Sequence, residues 1–160
     1  MKQYKVLVVG IGDMGGAHAR GYATLPGYEI AGFVVAKNVK RAKKLATELK
    51  VETPVYTDYY QAMKEVKPEV VSINTYVDTH AAFSTHAMRQ GCHVFMEKPI
   101  AKTVKEAEEV QKVFRQTGRK LVIGYILRVH PAWTKFIELA RTLGKPLIMR
   151  MNLNQQSFGR

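Results

Sequence analysis

Gly10-Ile11-Gly12-Asp13-Met14-Gly15 follows the apolar run Tyr4–Val9 and opens a helix-compatible stretch reaching about Leu25. Glycines spaced G-x-G-x-x-G between a strand and a helix have a physical rationale in a dinucleotide site. Gly10 allows a tight turn, Gly12 lets a pyrophosphate approach the backbone, and Gly15 lets helix and strand pack closely. The helix N-terminus adds free N–H groups and positive dipole. The whole loop, Ile11, Asp13 and Met14 included, is therefore a candidate cofactor contact. The competing reading is a plain glycine-rich turn, since the motif is weak outside this context. Asp13 is unusual, because a carboxylate would repel the ligand. Helix capping, with its side chain turned away from the phosphates, is the expected role.

Outward from this loop, strands and helices alternate. Pro26-Gly27 makes a turn, Tyr28–Val35 reads as a second strand, and Asn38 is a candidate N-cap for a helix to Leu49. Val55-Tyr56 reads as a very short third strand and Tyr59–Glu65 as a short helix. Val70–Asn74 is a fourth strand, followed by a helix capped by Asp78 or Thr79 and ended near Gly91. His93–Met96 is a fifth strand. Thr103 with Glu106 forms a capping box on a helix to about Gln116. Leu121–Tyr125 is a sixth strand, Pro131–Leu143 a helix closed by Gly144, and Pro146–Leu153 the start of a seventh strand. Such alternation predicts an α/β fold: a Rossmann-type doubly wound parallel sheet, binding ligand at the carboxyl ends of its strands.

A site for NAD usually shows Asp or Glu about 20 residues beyond the loop, gripping the ribose 2′-OH. Here the second strand ends Val35-Ala36-Lys37-Asn38, with Lys40 and Arg41 on the following helical turn. No carboxylate stands there. Ala36, Lys37 and Arg41 thus become cofactor candidates, and a cationic pocket favours NADP over NAD. Lys43 and Lys44 read as a solvated helix face.

The 160 residues, 46% of them apolar, can bury a sizeable core, so intrinsic disorder is not expected. The charge of +12 permits an acidic partner without choosing one. One cysteine, Cys92, excludes an intrachain disulfide and a cysteine-based zinc cluster. No metal-ligand spacing joins His18, His80, His86 and His93, so no metal is expected. No signal peptide is expected from Met1–Tyr4, no run is long enough to span a bilayer, and no zinc finger or basic–aromatic interleaving is seen. A cytoplasmic protein without nucleic-acid or membrane partners is the expectation.

Further blocks join the glycine loop. Ala87-Met-Arg-Gln-Gly-Cys-His-Val-Phe-Met-Glu97-Lys98-Pro99 resembles the "A…G.HV..EKP" signature of the Gfo/Idh/MocA oxidoreductases, the glucose–fructose oxidoreductase and inositol dehydrogenase family. Gly124-Tyr-Ile-Leu-Arg128-Val-His-Pro131 resembles its "G(F/Y)..R..P" segment, and Asn74-Thr75-Tyr-Val-Asp-Thr-His80 its "TP…H" loop. Tyr76 departs from the family in replacing a proline. The order and spacing of these blocks match across essentially the whole chain.

The resemblance implies an NAD(P)-dependent dehydrogenase acting on a sugar, inositol or related polyol by hydride transfer. It implies that residues 1–145 are the cofactor domain and that 146–160 begin a crossing strand into a second, substrate-binding domain lying outside this chain. Lys98 would be catalytic, moving the substrate hydroxyl proton as hydride leaves. Glu97 would hold the cofactor ribose or orient the lysine. Asn74, Thr75 and His80 would line the cofactor cleft, although His80 reads equally as a helix residue touching only water. Arg128 and His130 would face substrate, Arg128 reading equally as an ion-pair partner. The full-length protein would be a homo-oligomer. A non-enzymatic dinucleotide sensor of the same fold is the alternative.

Overall fold

Six runs dominated by apolar and β-branched residues form the strands of a computed structural model that describes residues 2–152. They are β1 (Tyr4–Val9), β2 (Tyr28–Val34), β3 (Val55–Tyr56), β4 (Val70–Ile73), β5 (His93–Met96) and β6 (Leu121–Ile123). The helices are α1 (Asp13–Thr24), α2 (Val39–Leu49), α3 (Tyr59–Val66), α4 (His80–Arg89), α5 (Val104–Thr117) and α6 (Pro131–Ala140). The described residues divide into two compact units, one ending at Gly124 and one beginning at Tyr125.

The first unit holds the whole sheet, in the order β3-β2-β1-β4-β5-β6. Every pairing is parallel. The order reverses between β1 and β4, the switch point at which doubly wound sheets take their ligands. Alternation along each strand feeds two cores. Val6 and Val8 face Ala19, Ala42 and Leu45 under α1 and α2. Leu7, Val9, Val71, Ile73 and Met96 face Ala62, Met63, Met88, Val110 and Val113 under α3, α4 and α5. Fully burying each such Val or Leu contributes about 1.5–3 kcal/mol.

Local signals set most boundaries. Asn38 accepts a hydrogen bond from Arg41 N at 3.0 Å and caps α2. The capping box of Thr103 and Glu106 starts α5, and Gly118, at φ 63°, ends it. Two expectations need correction. Neither Asp78 nor Thr79 caps α4 with its side chain: Asp78 accepts from Lys102 Nζ at 2.6 Å, and the Thr79 hydroxyl turns back to Tyr76 O at 3.1 Å. A 3-10 turn, Val77–Thr79, leads into α4 instead. The sixth strand stops at Ile123, two residues short of the expected Tyr125.

The second unit carries α6, with Pro131 in its first turn, extended by a 3-10 turn (Arg141–Leu143) and closed by Gly144 at φ 81°. Residues 145–152 form no strand, contrary to expectation: they pair with no strand among the described residues. Leu153, the expected end of that strand, and residues 154–160 lie outside the described residues.

Candidate functional site at the carboxyl ends of β1, β4 and β5

The glycine loop leaves β1 in a form that other residues would block. Gly10 sits at φ 85°, and a Cβ there would come within 2.7 Å of Asn74 O. A Cβ on Gly15 would collide with the Gly10 carbonyl oxygen. Gly12 differs: nothing lies within 4 Å of the position its Cβ would take. Gly12 is also the N-cap of α1, and no side chain caps that helix. The loop therefore offers open space over an uncapped helix N-terminus, which fits an anionic pyrophosphate. Ile11 is buried in the core beneath, and Met14 is exposed.

Asp13 does not cap α1, as expected of it, because it is already the first helical residue. Its Oδ1 accepts a hydrogen bond of 2.6 Å from Arg41 Nη2 on α2. At the end of β2, Ala36 and Lys37 are exposed. Lys37 and Lys40 make no ion pair among the described residues, whereas Arg41 is engaged with a carboxylate.

At the end of β4, Asn74 donates from Nδ2 to Ser72 O and Oγ, both at 3.1 Å, while its Oδ1 is buried without a partner. An acceptor stranded beside the glycine loop is a vacancy for a donor. Thr75 and Thr79 share a 2.6 Å hydroxyl contact. His80 is not solvated, which corrects the reading of it as a residue touching only water. It is 1% exposed, with Nδ1 2.7 Å from Pro99 O and Nε2 3.0 Å from Thr75 O. It ties the β4 loop to the β5 loop.

Glu97 ends β5 with its backbone N–H bonded to Ile73 O at 2.9 Å. Its carboxylate turns inward: Oε1 lies 3.0 Å from His18 Nε2 on α1, and Oε2 accepts weakly from Lys98 N at 3.3 Å. Gly124 packs on the same carboxylate, where a Cβ would stand 3.1 Å from Oε1. Lys98 is exposed beside this buried group, and the Lys98–Pro99 peptide is cis. Two histidines thus bracket Lys98, one through Glu97 and one through Pro99.

Sequence reasoning missed His18, considered there only as a metal ligand and set aside. The contact spans 79 positions and no local pattern announces it. Arg128 and His130 belong to the second unit, with Arg128 5.9 Å over the Tyr125 ring and His130 supplying the N-cap of α6. Cys92 is buried, donates to Pro68 O at 3.1 Å, and has its thiol pushed up to about 11 by burial, which leaves it mostly unionised at neutral pH. No group of His, Cys, Asp and Glu among the described residues could hold a metal ion. A groove of about 300 Å³ is lined by Tyr22, Tyr28, His93 and Phe95, none of them a sequence-predicted site residue.

Comparison with known proteins identifies similar sequences and folds. A model of an oxidoreductase family described as an NAD-binding Rossmann fold covers residues 4–125. UDP-N-acetylglucosamine 3-dehydrogenase of Acidithiobacillus ferrooxidans is 35% identical over 125 residues, 78% of this chain and 38% of the relative. The scyllo-inositol 2-dehydrogenase (NAD(+)) of Bacillus subtilis is 29% identical, over 91% of this chain and 43% of its own. Scyllo-inositol dehydrogenase of Lactobacillus casei, solved with NAD(H) and scyllo-inositol, superposes with a TM-score of 0.80 at 25% identity. That match covers 88% of this chain and 42% of that one. The chain spans less than half the length of these relatives.

Proposed function

The chain belongs to the Gfo/Idh/MocA oxidoreductase family, and from that premise we propose that it is the cofactor-binding part of an NAD(P)-dependent dehydrogenase of sugars, inositols or related polyols. The observation that carries the reading is the open, uncapped start of α1 at Gly12, set at the switch point between β1 and β4. The dehydrogenase names of the relatives above favour an enzyme over a non-enzymatic sensor.

In this reading Gly10 and Gly15 shape the loop, Gly12 admits the pyrophosphate, and Asn74 lines the cleft beside Gly10 and Gly15. A bound nicotinamide supplies the hydride acceptor or donor. Lys98 holds and moves the proton of the substrate hydroxyl, the task suited to an amine at the carboxyl end of a strand. Glu97, engaged inward by His18, orients Lys98 rather than gripping the ribose. Thr75 lines the cleft, and His80 fixes the two loops that form it. The missing acid after β2 and the unengaged Lys37 favour NADP. Residues 1–145 form the cofactor domain, from which Arg128 and His130 face substrate, and 146–160 lead toward a second, substrate-binding domain. The whole protein is read as a cytoplasmic homo-oligomer acting on a small polyol.

Isothermal titration of the 160-residue chain with NADPH and NADH tests this. Both should bind, NADPH more tightly. Failure of either to bind overturns the cofactor assignment, and equal affinities overturn the preference.

A further inference from the structure

The carboxylate of Asp13 stands on the first turn of α1, where the cofactor's phosphates would arrive. Its side chain is 97% exposed, and Arg41 Nη2 reaches across from α2 to meet it at 2.6 Å. Arg41 therefore already has an anion. Its backbone N–H is engaged as well, by the Asn38 cap, which fixes the root of the side chain. Lys37 lies one residue before that cap and makes no ion pair among the described residues.

We propose that Arg41 is the counter-ion of Asp13, shielding the phosphates of either cofactor from that carboxylate, and that Lys37 rather than Arg41 reads the 2′-phosphate. The inference rests on the loop being an NAD(P) site. A bare carboxylate beside a pyrophosphate is a like-charge contact and disfavours NADH and NADPH equally. A guanidinium bonded to that carboxylate cancels most of its field at short range. Moving Arg41 to a 2′-phosphate would break its 2.6 Å bond to Asp13, so the gain at one phosphate would be offset at the others. Lys37 carries no such penalty.

The experiment is a set of titrations of the 160-residue chain with NADH and with NADPH at low salt, with a melting curve of each variant to confirm folding. Arg41→Met should weaken both cofactors by the same factor, roughly three- to tenfold, and the loss should shrink at high salt. Adding Asp13→Asn to Arg41→Met should restore both affinities, and Asp13→Asn alone should bind both at least as tightly as the wild type. Lys37→Met should weaken NADPH alone. A loss confined to NADPH in Arg41→Met would make Arg41 the 2′-phosphate ligand and overturn the proposal. So would an unchanged affinity in that variant, or a loss that Asp13→Asn does not repair. A wild-type chain that binds neither cofactor is a different failure, since it removes the dinucleotide site itself.

Discussion

His18 Nε2 on α1 meets Glu97 Oε1 at the end of β5 across 3.0 Å, and the glutamate is only 7% exposed. Besides this contact, the carboxylate has one long bond, from Lys98 N at 3.3 Å. The helix that starts at the glycine loop is thereby fastened to the residue before Lys98.

Removing the imidazole should strand a buried carboxylate. His18→Leu is expected to cost about 1–3 kcal/mol, the usual penalty for a buried group left without its partner. Urea denaturation of the chain would show it as a lower midpoint. Glu97→Gln in the same background should recover part of the loss, because a neutral amide is cheaper to bury. An unchanged midpoint in His18→Leu would mean that water replaces the ring.

The glycines of the loop should separate into two kinds. Gly12 has a φ of −78° and open space around it, so Gly12→Ala should fold as well as the wild type. Its methyl group would occupy the space reserved for the pyrophosphate, and NAD(P)H affinity should fall by about tenfold, or 1.4 kcal/mol, or more. Gly15→Ala drives a methyl group into the Gly10 carbonyl and should destabilise the fold itself by about 1–3 kcal/mol. Melting temperature and titration, measured on both variants, distinguish the two. A Gly12→Ala chain with full affinity would place the phosphates elsewhere.

Lys98 is exposed and Glu97 is not, so their variants should differ in kind. Lys98→Ala should leave stability and cofactor binding near wild type. In the full-length protein, assayed with a polyol that it oxidises, it should slow hydride transfer by about 10²–10⁴-fold, the range for a lost general acid–base. Retention of wild-type turnover would assign the proton to another group.

Much of this was legible in the chain because its signals are local. The loop at Gly10–Gly15, the capping box at Thr103 and the alternation in Val6–Val9 each state their geometry within a few residues. What was not legible depends on distant pairings. Asp13 looked like a cap until Arg41, 28 positions away, was seen to hold it. His80 read as a cleft residue or a solvated one because nothing near it in sequence announces the Pro99 carbonyl. The seventh strand failed for a related reason, since an extended run becomes a strand only when another strand completes its ladder.

Two histidines away from the cofactor loop should make stability depend on pH near neutrality. Burial, reinforced by Arg89, lowers His86 below its ordinary 6.5. Burial also lowers His93, with Arg119, Lys120 and Lys2 adding to it and Glu69 opposing. His93 Nδ1 accepts the Lys120 N–H at 3.1 Å, a bond that a proton on that nitrogen would abolish. Both groups bind protons more readily in the unfolded chain. As pH falls from 6.5 toward the lower folded values, the unfolded state takes up more protons and stability declines. Above 6.5 neither group contributes to the slope. The paired carboxylates act in a separate, more acidic window. Lys2 and Arg20 hold Glu69 and Glu48 below 4.5, and Lys102 holds Asp78 below 3.8. Melting temperature should therefore be flat from about pH 8 to 7 and fall between 6.5 and 5, before the carboxylates protonate. His93→Asn, with a side-chain oxygen to accept from Lys120, should flatten that fall, and a His86→Phe, His93→Asn double variant should flatten it further. A double variant whose melting curve tracks the wild type through this window would place the proton uptake on other groups.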